Sequence, residues 1–110
     1  MTISQERLAS LKPFAANAAV ISDCGLDFVA LPGLKVPVSG QVVLRDGLLC
    51  PSQIHGYVSR LFLSEPIAGK GQNWNQYVIA GKTWWAPSWQ NVDSALPLPQ
   101  MLLAHLDAFV

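Results

Sequence analysis

The chain is short of charge. Only 13% of its 110 residues are Asp, Glu, Lys or Arg while 51% are hydrophobic, where about a quarter charged is usual for a globular domain. Seven basic residues balance seven acidic ones, and Arg7, Lys12, Lys35, Arg45, Arg60, Lys70 and Lys82 are scattered without forming a stripe. The electrostatic footprint of a nucleic-acid binder is therefore missing. So much apolar side chain with so little charge leads us to expect that part of the surface is covered by another protein.

Cysteine and histidine are scarce as well. The two cysteines, Cys24 and Cys50, make no CxxC pair, and His55 and His105 lie far apart in the chain. The residues therefore offer no ligand set for zinc. Neither a Gly-x-Gly-x-x-Gly turn nor a P-loop is present, so no cofactor is expected. No uninterrupted apolar run approaches the roughly 20 residues needed to span a bilayer. The N-terminal stretch carries Glu6 and lacks the apolar core of a secretory leader. The expectation is a cytoplasmic chain with two free thiols and no membrane association.

What is present reads as one α+β domain over residues 1–110, with an N-terminal helix, an antiparallel meander of about four to six strands and a C-terminal helix packed on the sheet. Thr2-Ile-Ser-Gln5 offers a capping box, and Leu8, Leu11, Ala15 and Ala18 recur at helical spacing. These predict a helix over residues 4–20, broken near Lys12 by Pro13. Gly25 is placed as its left-handed cap. Strands are expected over 26–31, 34–38 and 41–45, with Asp46-Gly47 as a hairpin turn into Leu48-Leu49.

The strongest strand signal runs over residues 56–64, with Tyr57, Leu61 and Leu63 on one face and Val58, Arg60 and Phe62 on the other. This strand is expected to be central. A loop over 65–72 leads to strands 74–79 and 83–86, which form a hairpin about Ala80-Gly81-Lys82. The last segment places Leu98, Leu102, Leu106 and Phe109 on one helical face.

Two features carry chemistry. The turn between strand-like runs sets Cys50 five residues from His55, so a thiol and an imidazole share a loop. A neighbouring histidine raises the thiolate fraction of a cysteine, and the pair reads either as a nucleophile or as a strand-end cysteine beside a surface histidine. The other feature is aromatic. Trp74, Trp84, Trp85 and Trp89 crowd one stretch, and successive strand residues point to opposite faces. Hence Trp84 and Trp85 cannot share a buried face. One is expected under the C-terminal helix, the other against a partner.

The order of helix, meander, long irregular segment, tryptophan-proline element and helix resembles the ubiquitin-conjugating fold, in the short, divergent form encoded in bacteria beside a ubiquitin-like modifier, an activating enzyme and a deconjugating peptidase. Trp84-Trp-Ala-Pro87 followed by Leu96 to Leu106 is similar to the family's tryptophan-x-proline stretch and its next helix. Residues 48–63 are similar to the strands ahead of the family's active-site loop. The family's long C-terminal helices have no counterpart here.

The resemblance implies a carrier that accepts a ubiquitin-like modifier from an adenylating enzyme and passes it to an amine of a target protein. It places Asn73, beside Trp74, where the family keeps an asparagine that donates to an oxyanion. The family's nucleophile would fall within residues 67–79, where this chain has no cysteine. Three alternatives stay open: a nucleophile moved to Cys50 with His55 beside it, Ser64 as an oxyester acceptor, or a non-catalytic module. In the last case Tyr57, Trp74, Trp84 and Trp85 are the candidates for holding a modifier or an activating enzyme.

Overall fold

A computed structural model describes residues 3–110. The elements are α1 (Gln5–Ala9), β1 (Ala19–Asp23), β2 (Leu26–Val38), β3 (Gln41–Cys50), β4 (Arg60–Leu63), β5 (Asn75–Ile79), β6 (Lys82–Ala86) and α2 (Leu98–Leu106). The six strands form one antiparallel sheet in the order β1-β2-β3-β4-β6-β5. The expected α+β class and number of strands are found, and β4 lies inside the sheet.

The N-terminal helix is shorter than its spacing predicts. Ser4 caps it by accepting the Arg7 amide at 3.2 Å, and it ends at Ala9, ahead of Pro13, whose ring and missing donor oppose a continuing helix. Thr2 lies outside the described residues. Leu8, Leu11 and Ala15 are buried as expected, but Leu11 and Ala15 sit in the turns that follow. Ala19 to Asp23, expected to lie at and beyond the helix end, form a strand paired with β2. The β-branched Val20 and Ile21 suit that strand.

Two-residue left-handed turns join most of the strands. Cys24-Gly25, Ser39-Gly40 and Ala80-Gly81 all have positive φ at both residues, the mirror-image turn whose twist matches that of a hairpin. Gly25 is therefore a hairpin residue rather than a helix cap. Asp46-Gly47, expected to turn, lies in mid-strand instead. Gly47 is needed there for space, since an added Cβ would sit 2.8 Å from the Leu34 side chain.

That contact marks a bulge. Leu31 pairs with Gly47 but Leu34 with Arg45, so β2 carries one extra residue at Pro32-Gly33. The extra residue keeps Leu31 and Leu34 on one face despite their odd spacing. Asp46 secures the bulge by accepting the Gly33 amide at 3.0 Å.

The sheet is buried on both sides. On one, Val29, Leu31, Leu49, Leu61 and Leu63 meet Leu98, Met101, Leu102 and Leu106 of α2 in the larger core. On the other, Phe28, Leu48, Cys50, Ile54, Phe62, Ile79, Trp84 and Ala86 form a second cluster. β2 and β5 are four strand spacings apart, about 19 Å across a flat sheet. Phe28 and Ile79 nevertheless line one cavity. The sheet therefore curls towards this second cluster.

Candidate functional site

The second face is closed by the chain leaving β3. After Cys50 and Pro51 the backbone folds back in a minimal hairpin, with Ile54 and Tyr57 exchanging hydrogen bonds of 2.9 and 2.8 Å about a left-handed His55-Gly56 turn. The strand expected from Gly56 therefore starts only at Arg60. Ile54 packs into the second cluster, and the turn holds His55 over the Tyr77 ring, stacked at 4.3 Å.

Arg60 is the centre of this site. It follows the alternation that puts Phe62 in the second cluster, and only 2% of it is exposed. Its Nη1 donates to His55 Nδ1 at 3.1 Å and to Tyr77 Oη at 2.9 Å. Nη2 donates to the Pro87 carbonyl at 3.5 Å. The guanidinium also stacks on Tyr57, 4.2 Å from its ring centroid, and lies within 5.0 Å of that of Tyr77. No carboxylate pairs with it; among the described residues the one ion pair joins Lys82 and Asp46. Arg60 Nε and, nearby in the same face, Trp84 Nε1 are buried without a partner.

Cys50 and His55 belong to this face but not to each other. The Cys50 side chain is 0% exposed, its Sγ donates to the Ser52 carbonyl at 3.4 Å, and burial raises its pKa despite that bond. The His55 hydrogen bond goes to Arg60. Its pKa is lowered, first by partial burial and then by the Arg60 charge. Asn73 makes no hydrogen bond to Cys50, His55 or Arg60 among the described residues. It is exposed in a left-handed conformation, its carbonyl accepts from Asn75 at 3.1 Å, and the adjacent Trp74 stacks on Phe109, 5.7 Å away, in the helix-side core.

The tryptophans are held just as firmly. Trp74 Nε1 donates to the Lys70 carbonyl at 2.8 Å. Trp84 and Trp85 do face opposite ways, but the buried one is Trp84, and it packs in the cluster away from α2. Trp85, half-buried, is paired with Leu63 on the helix side. Tyr57 is half-buried under the Arg60 guanidinium. Ser64, the other candidate nucleophile, accepts the Asp46 amide on its Oγ at 3.2 Å.

Sequence reasoning passed over Arg60 and Tyr77. The available signal was an arginine alternating with Phe62 inside an otherwise apolar strand, a position that leaves a cation under the sheet unless aromatic rings and neutral acceptors take it up.

A second buried polar group lies on α2. His105 is 3% exposed and 2.9 Å from Ser59 Oγ, whose own proton goes to the Val92 carbonyl at 2.8 Å. His105 Nε2 must therefore donate to the hydroxyl. Burial, and secondarily the Arg60 charge, lowers the His105 pKa to about 4. Since the serine proton points away from the imidazole, the pair is a strut between α2 and the start of β4 rather than an activated hydroxyl.

The described residues hold no group of three or more His, Cys, Asp or Glu side chains arranged for a metal ion, and none of their helices is long and apolar enough to cross a membrane. Comparison of the chain with protein-family models, with curated proteins and with solved structures finds no match.

Proposed function

We propose that this chain is a non-catalytic module of the ubiquitin-conjugating type that docks a ubiquitin-like modifier or its activating enzyme. The observation that carries the reading is the position of Cys50, wholly buried with a raised pKa. A modifier carrier needs an exposed thiolate in contact with its activating enzyme. The order of helix, antiparallel meander and C-terminal helix supports the resemblance. The docking surface is the β2–β3 hairpin, where Val42 and Leu44 are 63% and 62% exposed. Both lie on the face of β3 that continues into buried Leu48 and Cys50, so they extend the second cluster out to solvent.

The test combines the full chain with an activating enzyme, ATP and a modifier, chosen from genes that neighbour its own. The expected outcome is a non-covalent complex, no thioester or oxyester, and loss of the complex in Leu44→Asp. An adduct that disappears in Cys50→Ala would restore the carrier reading, with modifier transfer to a target amine. Absence of both complex and adduct would remove the conjugation reading altogether.

A further inference from the structure

Beside Arg60 the curled sheet leaves a cavity of about 430 Å³. Leu26, Phe28, Ile54 and Ile79 give it apolar lining, and Asp23, Gln53, His55 and Tyr77 give it polar lining, with His55 and Tyr77 at the end that meets Arg60. That volume is within the range of small-molecule sites, which combine an apolar lining with a few placed polar groups.

The hydrogen bonds behind the polar end determine what it presents. A guanidinium only donates, so Arg60 Nη1 takes a lone pair from His55 Nδ1 and another from Tyr77 Oη. Neutral His55 must then carry its proton on Nε2, and the Tyr77 hydroxyl proton stays free to donate. None of the hydrogen bonds among the described residues uses either proton. The two donors belong to stacked rings 4.3 Å apart, with a buried guanidinium behind them that lacks a carboxylate partner and has an unpartnered Nε. Removing a cation from water costs several kcal/mol unless a partner offsets it. Aromatic faces and neutral acceptors meet only part of that cost.

We propose that this cavity is a binding site for a small organic acid, whose carboxylate accepts from His55 Nε2 and Tyr77 Oη while its apolar body lies against Phe28, Ile54 and Ile79. A carboxylate suits the site because it brings one negative charge and two oxygens to one cation and two donors. Asp23 lines the same cavity from the β1–β2 turn and opposes any anion placed near it. The carboxylate therefore enters at the His55 end. This site does not depend on the conjugation reading.

The probe is 4-phenylbutyrate, with 4-phenylbutanamide as its uncharged counterpart, each titrated into the full ¹⁵N-labelled chain. The acid is expected to shift amide signals of residues 53–57 and 77–79 and to bind at least about tenfold more tightly than the amide. Tyr77→Phe keeps the ring and removes the donor. It should weaken the acid about fivefold and the amide, whose carbonyl accepts a weaker, uncharged hydrogen bond, by less than that. Asp23→Asn should tighten the acid, because a like charge leaves the cavity. Thermal unfolding of both variants checks that the fold is kept. Equal binding of acid and amide, shifts confined to another surface, or no binding of the acid up to about 10 mM would each overturn the proposal.

Discussion

The helix-covered face of the sheet and the face beneath the His55 turn both bury large side chains, but they close by different means. On the helix side, residues of α2 distant in sequence supply an aliphatic lid, and the buried His105 and Ser59 are tied to each other, with Arg45 Nε the unpartnered polar atom on that face among the described residues. On the other side a short local hairpin is the lid, and the buried inventory includes a guanidinium, a thiol and an indole N–H. A core that only had to be stable would resemble the first. The second keeps a cation without an anion and a cavity beside it. An unpartnered cation beside open space is a combination that recognition sites use.

The largest expected effect tests whether the second face is a core at all. Leu102→Ala on α2 should cost about 2–5 kcal/mol, and Phe62→Ala on the opposite side about 3–5 kcal/mol, both measured by urea denaturation. A Phe62→Ala cost under about 1 kcal/mol would mean that the His55 hairpin is a loose cover rather than a lid.

Acid should act on both faces, because the pKa values of His55 and His105 are both lowered, and the effect can be sized on the helix side. His105 titrates near 4 in the folded chain and near 6.5 when unfolded. Between those values the unfolded state binds the extra proton, so stability is fully present above the unfolded pKa and falls as pH drops through the window. The loss is about 3 kcal/mol once pH is below both. Denaturation midpoints at pH 7 and pH 4 should show it, and His105→Gln, which keeps a donor for Ser59 without titrating, should shrink the difference and leave the part due to His55.

Two smaller effects probe the backbone that both faces share. Gly47→Ala should cost about 1–3 kcal/mol, because its new methyl meets Leu34 inside a filled core. Ala80→Asn should stabilise by about 0.5 kcal/mol. Alanine is strained at the φ of 51° found there, and asparagine tolerates the left-handed region better.

These same positions show where the sequence speaks and where it does not. The β5–β6 hairpin, α2 and the alternation of Leu61, Phe62 and Leu63 were legible because each follows a local period with a clear stop. The first helix was overextended because Ala15 to Ala19 permits helix and strand alike, and pairing with β2 decides between them. Asp46-Gly47 looked like a turn because the chemistry of the dipeptide is the same whether a glycine supplies positive φ or empty space. Ser39-Gly40, the turn actually used, gives a weaker signal.

At the site, residues 50–57 were legible as a polar turn, but not which groups it joins. His55 meets Arg60 and Tyr77 rather than Cys50, and the meeting depends on the curl of the sheet, which no short window of sequence encodes.

The pairing of β4 with β6 rests on one residue pair, Leu63 with Trp85, whereas β1 to β4 and β5 with β6 are joined by longer ladders. The backbone ladder is thus thinnest at this seam, which divides the sheet into two units, and in native-state hydrogen exchange the amides of residues 75–86 are expected to be released together, at a lower opening free energy than those of β2 and β3. The cavity straddles that seam, with Phe28 on one unit and Tyr77 and Ile79 on the other. An occupant would clamp the two together, and the exchange rates of the β5–β6 hairpin would report its arrival.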